Sequence, residues 1–298
     1  MNYLNRARRV LLTPEESATA PTLPNPPSGP LRVGVDLGTA YLVLVALDQD
    51  CQPLAGEYQF AQVVRDGLVV DFIGAIDLLR EMKDRVERRL GRELTHAASG
   101  YPPGVPQVEV RAAANVVEAA GMTCTGLVDE PSAANAVLGI RTGAVVDVGG
   151  GTTGIAIIED GEVVYTADEP TGGTHFSLVI AGALDISFEE AESLKKKPAE
   201  QSRLFPLVRP VMEKVGSIIA RHTSVARHTS VARHTSVARH ARATQFPVEN
   251  LTLVGGTSAF PGMGRVIEEY TGIPTVVADH PMFVTPIGIA MSQNQESL

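Results

Sequence analysis

Two β-rich hairpins of the same design constrain the fold of this chain more than any other feature. In each, an aspartate stands two residues before a glycine corner. Asp36 precedes the first glycine corner (residues 38–40), and Asp147 precedes the second (residues 149–152). Apolar and β-branched runs on both sides of a glycine turn are typical of antiparallel strand pairs. Helical patterns follow both hairpins, so the sequence predicts an α/β fold built from two similar lobes.

The strand and helix patterns also set the expected domain boundaries. We expect lobe I over residues 31–142 and lobe II over residues 143–298, with a C-terminal helix at residues 285–291 that returns toward lobe I. Prolines punctuate residues 1–30. Because proline fixes φ and removes a backbone donor, this segment is expected to be a disordered Pro-rich arm. A short docking peptide around residues 6–12 is the alternative.

A tandem hexapeptide, Arg-His-Thr-Ser-Val-Ala, begins at Arg221, Arg227 and Arg233 and trails off at His240. Six residues advance a helix by about 600°, so equivalent positions spread over three faces and form no apolar stripe. Histidines six residues apart also miss the i, i+4 spacing of paired metal ligands on a helix. Residues 221–240 are therefore expected to be a repeat insertion on the surface of lobe II, with metal or anion binding as the alternative.

Composition excludes several classes of protein. The 298 residues include 34 acidic and 25 basic side chains, and the net charge of −9 argues against a nucleic-acid partner. Two cysteines, Cys51 and Cys124, are too few for a disulfide-dense scaffold or a cysteine-rich zinc site. No uncharged apolar run approaches the ~18 residues of a membrane helix, and no signal peptide is recognisable. We therefore expect a soluble, cytoplasmic protein with no membrane partner.

The glycine corners form the candidate ligand site. A third glycine corner (residues 255–257) also follows an apolar strand, and backbone amides in such turns can cradle a phosphate group. Asp36 and Asp147, at the strand ends, would stand beside that phosphate, and two such carboxylates can hold a hydrated Mg²⁺. The alternative is that these are two unrelated turn aspartates.

The order of these motifs resembles that of the actin-like ATPase superfamily, which includes actin, sugar kinases and heat-shock ATPases. Val-Gly-Val-Asp-Leu-Gly-Thr at residues 33–39 resembles its first phosphate loop, and Val-Asp-Val-Gly-Gly-Gly-Thr-Thr at 146–153 resembles its second. Leu-Val-Gly-Gly-Thr at 253–257 is similar to its adenosine motif, and residues 129–134 and 286–290 are similar to its two connecting helices. The resemblance covers residues 31–292 and implies two actin-like, ribonuclease H-like lobes around a nucleotide cleft.

The resemblance also implies a site for ATP and Mg²⁺. Asp36 and Asp147 are expected to bind Mg²⁺ through water, and Glu130 is expected to be the catalytic carboxylate that arranges the attacking water. An Ala-Glu-x-x-Lys stretch at residues 191–195 is similar to one that contacts the nucleoside in several members. The residues expected to bind the nucleotide are Gly38, Thr39, Ala40, Gly149, Gly150, Gly151, Thr152, Thr153, Glu192, Lys195, Gly255, Gly256 and Thr257.

Some residues at or near this site have simpler alternative roles. Glu130 precedes Pro131 and could merely begin a helix, where the helix dipole favours a carboxylate. Lys195 belongs to a run of three lysines, which is more often solvated than bound to a ligand. His175 could cap a helix or pack near the ligand without touching it.

Residues 64–72, 129–131 and 168–175 make the chain most similar, within that superfamily, to a family of ethanolamine-utilisation proteins. The resemblance implies an ATP-binding, chaperone-like protein that is associated with a bacterial microcompartment. It would protect, refold or help assemble a client protein, namely ethanolamine ammonia-lyase or another microcompartment component. After Asp48 there is no lysine until Lys83, so the lysine that heat-shock ATPases place against the γ-phosphate has no counterpart here. Any ATPase activity is therefore expected to be slow, or the protein acts mainly as a nucleotide switch.

Other classes of function stay open at this point. An actin-like, ATP-dependent scaffold or filament protein is the main alternative. A small-molecule kinase would need a pocket of sugar or carboxylate size. An iron–sulfur activator of this superfamily would need cysteines in a shared cluster motif, which Cys51 and Cys124 do not form.

Overall fold

The computed structural model describes residues 3–65, 68–225 and 248–293, and the chain divides into two compact units. Unit 1 comprises Met1–Leu138 and Phe283–Leu298, and unit 2 comprises Gly139–Met282. The break at Gly139 lies close to the expected boundary at residues 142/143. The C-terminal segment from Phe283 groups with unit 1. The boundaries expected from the sequence counted this segment within lobe II, with its helix returning toward lobe I.

Unit 1 is built on a six-stranded sheet with strand order β1-β4-β3-β2-β7-β8. Strands β2, β3 and β4 form an antiparallel meander, while β7 and β8 run parallel to β2. The short strands β5 and β6 pair with each other. The elements are α1 (Tyr3–Val10), β1 (Leu11–Leu12), α2 (Pro14–Thr19), β2 (Arg32–Leu37), β3 (Tyr41–Leu47), β4 (Pro53–Phe60), β5 (Val64–Arg65), β6 (Leu68–Val69), α3 (Phe72–Leu90), β7 (His96–Tyr101), α4 (Gln107–Ala119), β8 (Thr123–Asp129), α5 (Glu130–Leu138) and, from the end of the chain, α10 (Val284–Met291).

Unit 2 repeats this arrangement with the sheet order β11-β10-β9-β12-β13. Its first three strands again form an antiparallel meander, and its last two again run parallel to the central strand. The elements are β9 (Gly143–Val148), β10 (Thr153–Glu159), β11 (Glu162–Glu169), α6 (Gly173–Leu184), α7 (Phe188–Lys195), α8 (Pro198–Val225), β12 (Leu251–Val254), a 3₁₀ turn (Gly256–Ala259), α9 (Met263–Thr271) and β13 (Thr275–Val277). The predicted α/β fold with two similar units is confirmed.

The C-terminal helix α10 groups with unit 1 because its backbone packs directly on that sheet. A side chain at Gly34 of β2 would place its Cβ 2.6 Å from the carbonyl oxygen of Pro286, so only glycine permits this approach. A Cβ at Gly288 of α10 would lie even closer to the carbonyl oxygen of Ala133 in α5. Alternate residues of β2, such as Val33 and Val35, point to the opposite face, where they join the core formed with α3 and α4.

The expectation of a disordered arm at residues 1–30 is wrong for the described residues, which begin at Tyr3. Helix α1 buries Leu4 and Ala7, and β1 then pairs in parallel with β4. Arg89 of α3 holds the junction, donating hydrogen bonds to the carbonyls of Gly56 (2.8 Å) and Val10 (2.9 Å). The physical reason is that backbone N–H and C=O groups along the edge of β4 would otherwise lack a strand partner. Strand β1 of the N-terminal segment pairs with that edge.

Helix α8, which was not predicted from the sequence, contains Pro206 and Pro210. An internal proline costs about 3 kcal/mol. The helix nevertheless buries an apolar stripe against unit 2, which consists of Leu204, Val208, Val211, Met212, Val215, Ile218 and Ile219. The first residues of the hexapeptide repeat, from Arg221 to Val225, are its last turn, and residues 226–240 lie outside the described part of the chain. No helix in the described ranges is both long and apolar enough to span a membrane.

Candidate functional site

The second glycine corner connects β9 to β10 and is anchored to the start of helix α6. The amide of Gly149 donates to the carbonyl of Thr152 (3.0 Å), which closes the turn. The amides of Gly173 and Thr174, in the first turn of α6, donate to the carbonyls of Gly149 (2.9 Å) and Gly150 (2.8 Å). The corner is therefore fixed through its carbonyl oxygens.

This anchoring determines where the amides of the corner point. In a trans peptide the C=O of one residue and the N–H of the next are antiparallel. Because the carbonyls of Gly149 and Gly150 face α6, the N–H groups of Gly150 and Gly151 face away from it, side by side. Consecutive N–H groups that point in one direction form an anion-binding concavity. The second glycine corner thus has the local geometry of a phosphate cradle.

The third glycine corner lies beside Asp147, because β12 runs parallel to β9 with Val254 opposite Asp147. Gly255 has φ +85°, and a Cβ there would lie 2.5 Å from the carbonyl oxygen of Val148 and closer still to Oδ1 of Asp147. Asp147 is only 7% exposed. Gly255 is therefore required both for its backbone conformation and for the space that the Asp147 carboxylate occupies.

The second and third corners are also joined directly. The hydroxyl of Thr257 donates to the carbonyl of Gly149 at 2.7 Å, so this carbonyl accepts from both Thr257 and Gly173. The hydroxyl of Thr153 donates to the carbonyl of Thr171 at 2.6 Å. Within unit 2, the structure thus brings together Asp147, Gly149, Gly150, Gly151, Thr152, Thr153, Gly255, Gly256 and Thr257.

Glu192 and Lys195 join this cluster through helix α6. Lys195 Nζ donates to the carbonyl of Gly173 (3.0 Å), to Ser177 Oγ (3.0 Å) and to Glu192 Oε2 (2.5 Å). Its side chain is 15% exposed, so the reading of Lys195 as a solvated lysine is wrong, whereas Lys196 beside it is 41% exposed. Ser177, whose hydroxyl also donates to Glu192, was not found from the sequence.

The pKa of Glu192 depends both on its burial and on its ion pair with Lys195. Burial alone would raise the pKa of Glu192, but the charge of Lys195 and the hydrogen bonds from Lys195 and Ser177 outweigh it and lower that pKa. The carboxylate therefore stays ionised in the folded protein. This buried charge holds the Lys195 ammonium beside the first turn of α6.

Residues 170–173 form a wall of the second glycine corner that the sequence did not place there. A Cβ at Gly172 would lie 2.7 Å from the carbonyl oxygens of both Gly149 and Gly150. His175 accepts a hydrogen bond at Nδ1 from the Gly172 amide (3.3 Å), so it caps α6, as its alternative reading proposed. The glycine pair after Asp168-Glu169-Pro170 was the signal in the sequence, because adjacent glycines often mark close backbone approach.

The first glycine corner lies in unit 1, at the position equivalent to the second. Asp36 is the next-to-last residue of β2, as Asp147 is of β9. Gly38, Thr39 and Ala40 connect β2 to β3, and a Cβ at Gly38 would lie 2.7 Å from the Tyr41 carbonyl oxygen. This tight turn requires glycine at position 38.

Glu130 is the first residue of α5 in unit 1. Asp129 caps this helix, accepting a hydrogen bond at Oδ1 from the Ser132 amide (3.0 Å). The side chain of Glu130 passes close to Gly100, at the end of β7, where an added Cβ would lie 3.5 Å from its Cγ. Glu130 therefore begins a helix, as its alternative reading stated, and it also lies near the carboxyl end of β7. Its catalytic role stays a prediction.

The described residues contain no group of three or more His, Cys, Asp or Glu side chains placed to hold a metal ion. They therefore offer no metal site made of protein groups alone. Magnesium differs from such cases because it keeps several waters and binds phosphate oxygens. One or two carboxylates are enough for it. Asp147, beside the phosphate cradle of unit 2, is suitable for such a role.

Comparisons with known proteins identify the family. Ethanolamine utilization protein EutJ of Escherichia coli (strain K12) is 39% identical to this chain in an alignment of 285 residues that covers 94% of this chain and 93% of the relative. The chain belongs to the EutJ family of ethanolamine utilization proteins. EutJ of Salmonella typhimurium (strain LT2) is also 39% identical, over 88% of this chain and 86% of its own length. The crystal structure of EutJ from Carboxydothermus hydrogenoformans matches with a TM-score of 0.81 and 42% identity over 97% of both chains.

More distant similarities agree with the fold. Family models for cell division protein FtsA and for MreB/Mbl protein match residues 144–288 and 55–197. The crystal structure of MreB 5 of Spiroplasma citri bound to AMPPNP matches with a TM-score of 0.67 and 17% identity, over 89% of this chain and 96% of the other. The chain has the actin-like ATPase fold.

Proposed function

We propose that the protein binds ATP with Mg²⁺ and acts in ethanolamine utilisation as a slow, nucleotide-controlled, chaperone-like factor. The observation that carries this proposal is the second glycine corner, whose carbonyls are fixed by α6 and Thr257 while consecutive amides face the opposite way. Such a rigid set of donors binds phosphate oxygens without reorganising. The family supports the setting, since its members are named for ethanolamine utilisation.

Each predicted residue has a role in this proposal. The amides of Gly150 and Gly151 bind phosphate oxygens, as do Gly38, Thr39 and Ala40 in unit 1. Magnesium, when bound, neutralises phosphate charge, and Asp147 and Asp36 would hold it through water. Glu130 would orient the attacking water, and the adenosine would be bound by the third glycine corner with Glu192 and Lys195.

Calorimetric titration of ATP with Mg²⁺ tests the nucleotide site. We expect the wild type to bind and Asp147→Asn to lose most of its affinity, because the neutral amide removes the charge beside the cradle without changing its size. Asp160→Asn is the matched control, since Asp160 lies in an exposed turn of the same unit and asparagine tolerates its positive φ of 54°. Absence of binding by the wild type, or equal binding by Asp147→Asn, would rule out this site.

We further propose that the client is ethanolamine ammonia-lyase or another component of its microcompartment. A nucleotide can control client binding only through contacts that differ between its states. Co-purification of the tagged protein with purified ethanolamine ammonia-lyase should therefore differ between ATP and ADP. Client capture that is identical in both states would contradict nucleotide control. ATP-dependent sedimentation of the protein by itself would instead favour the filament alternative.

A further inference from the structure

The end of helix α8 is tied to strand β11 by a cluster of four polar side chains. His222 Nε2 lies 3.0 Å from Glu169 Oε1, and His222 Nδ1 lies 2.6 Å from the hydroxyl of Tyr165. Arg221 forms an ion pair with the same Glu169 oxygen at 2.6 Å. The side chain of His222 is only 13% exposed, so its two ring contacts are largely protected from water.

The direction of these hydrogen bonds follows from the outer members of the cluster. Burial, together with the nearby charge of Glu169, raises the pKa of Tyr165, so its phenol stays protonated and can donate. Glu169, paired with Arg221, is an acceptor. In one tautomer of the His222 imidazole, Nδ1 accepts from Tyr165 and Nε2–H donates to Glu169, so both neighbours are satisfied. Together with the ion pair to Arg221, these contacts fix the position of the Glu169 carboxylate.

Glu169 lies next to the second glycine corner through the backbone. In the β10–β11 ladder it is directly opposite Thr153, the residue that follows the corner. The amide of Thr171 donates to the carbonyl of Glu169 (2.8 Å), and Thr171 in turn accepts from the hydroxyl of Thr153. The chain then enters Gly172, which packs on the corner itself. A displacement of Glu169 would therefore shift the second glycine corner by two routes, through its strand partner Thr153 and through the segment from Thr171 to Gly172.

We propose that His222, with Arg221, is a positioning residue for the phosphate cradle, acting through Glu169. The cluster holds the end of β11 and so keeps the wall at residues 170–173 against the second glycine corner. Arg221 and His222 are also the first two residues of the hexapeptide repeat, so the beginning of the repeat has a role in the site and is not merely an insertion on the surface. This inference rests on the proposed ATP site and adds to it a group remote from the ligand.

Hydrogen exchange of the ligand-free protein measures this positioning directly. In His222→Ala, the hydrogen-bonded amides of Gly149, Thr171, Gly173 and Thr174 should exchange about tenfold faster, which corresponds to the loss of one charge-assisted hydrogen bond. Amides of β12, in the same sheet, should keep their wild-type rates. His222→Gln should restore slow exchange, because the side-chain amide offers one acceptor and one donor to the same two neighbours.

Arginine variants supply a matched control on the same helix. Arg221→Gln breaks the ion pair with Glu169, whereas Arg203→Gln breaks an ion pair with Glu200 inside the helix. We expect only the first to speed exchange at the corner. Unchanged exchange in His222→Ala and Arg221→Gln would overturn the inference, and so would an equal acceleration in β12, which would show a general loss of stability.

Measurements of ATP affinity distinguish failure of this inference from failure of the proposed function on which it rests. The dissociation constant for ATP should rise about tenfold in His222→Ala and recover in His222→Gln, while that of Arg203→Gln stays at the wild-type value. If the wild type binds no ATP, the proposed function fails, and the exchange rates still decide whether His222 positions the corner. If the wild type binds ATP and His222→Ala binds it equally well, the positioning role fails while the function stands.

Discussion

Substitution of Gly255 by alanine tests the packing between the third glycine corner and Asp147. Gly255 has φ +85° and ψ 154°, a region that essentially only glycine adopts, and a residue with a side chain there costs about 1–3 kcal/mol. The added Cβ would also collide with Oδ1 of Asp147 and lie 2.5 Å from the carbonyl oxygen of Val148. Neither of these groups can move freely, because Val148 is in β9 and Asp147 is buried.

The magnitude follows from adding the two effects. Overpacking in a dense interior costs about 1–3 kcal/mol, so Gly255→Ala should lower the free energy of unfolding by about 2–6 kcal/mol. Gly161→Ala is a matched control, since Gly161 has φ +91° but nothing lies within 4 Å of its added Cβ. It should show only the conformational cost of about 1–2 kcal/mol.

Urea unfolding of both variants measures the difference. Gly255→Ala should be less stable than Gly161→Ala by about 1–3 kcal/mol, and it should also bind ATP more weakly because Asp147 is displaced. If the two variants lose the same stability, the close approach of Gly255 to Asp147 costs nothing, and the packing described for this corner is wrong.

Three further predictions concern buried ion pairs. Lys195→Met leaves Glu192 buried without its main partner and should cost about 3–5 kcal/mol, whereas Lys196→Met, at a more exposed lysine, should cost much less in urea unfolding. The pKa of Glu192 is lower in the folded protein than in the unfolded chain, so its contribution is present above the unfolded pKa. The stability difference between wild type and Glu192→Gln should therefore be full at pH 7 and shrink as the pH falls below about 4.3. Arg85→Met should cost about 3–5 kcal/mol because Glu57, fully buried, loses a two-oxygen ion pair, and the double variant Arg85→Met/Glu57→Leu should regain part of that loss if this reasoning is correct.

Local patterns in the sequence were sufficient for the central hairpin of each sheet. The hairpins around residues 38–40 and 149–152 follow from short-range alternation and glycine turns, which report local backbone preference. The same patterns placed Asp36 and Asp147 at equivalent strand ends. Similar hairpins in one chain were therefore enough to predict two similar units.

The N-terminal segment and helix α8 could not be obtained in this way. The prolines of the N-terminal segment predict disorder, helix α8 was not predicted at all, and long-range contacts stabilise both. Leu4 and Ala7 are buried and β1 pairs with β4, while α8 buries a stripe that offsets Pro206 and Pro210. Local propensity is a weak preference that burial of apolar surface can override.

In the candidate site, too, some features follow from the sequence and others only from the tertiary structure. The sequence by itself determined which residues occur at the glycine corners, because tight turns and positive φ require glycine whatever surrounds them. Only the tertiary structure decided that Thr257 and Gly173 share the Gly149 carbonyl, that Lys195 is buried against α6, and that His222 reaches Glu169. Those contacts join residues up to 108 positions apart, and the distance between such residues is set by how the sheet and helices pack.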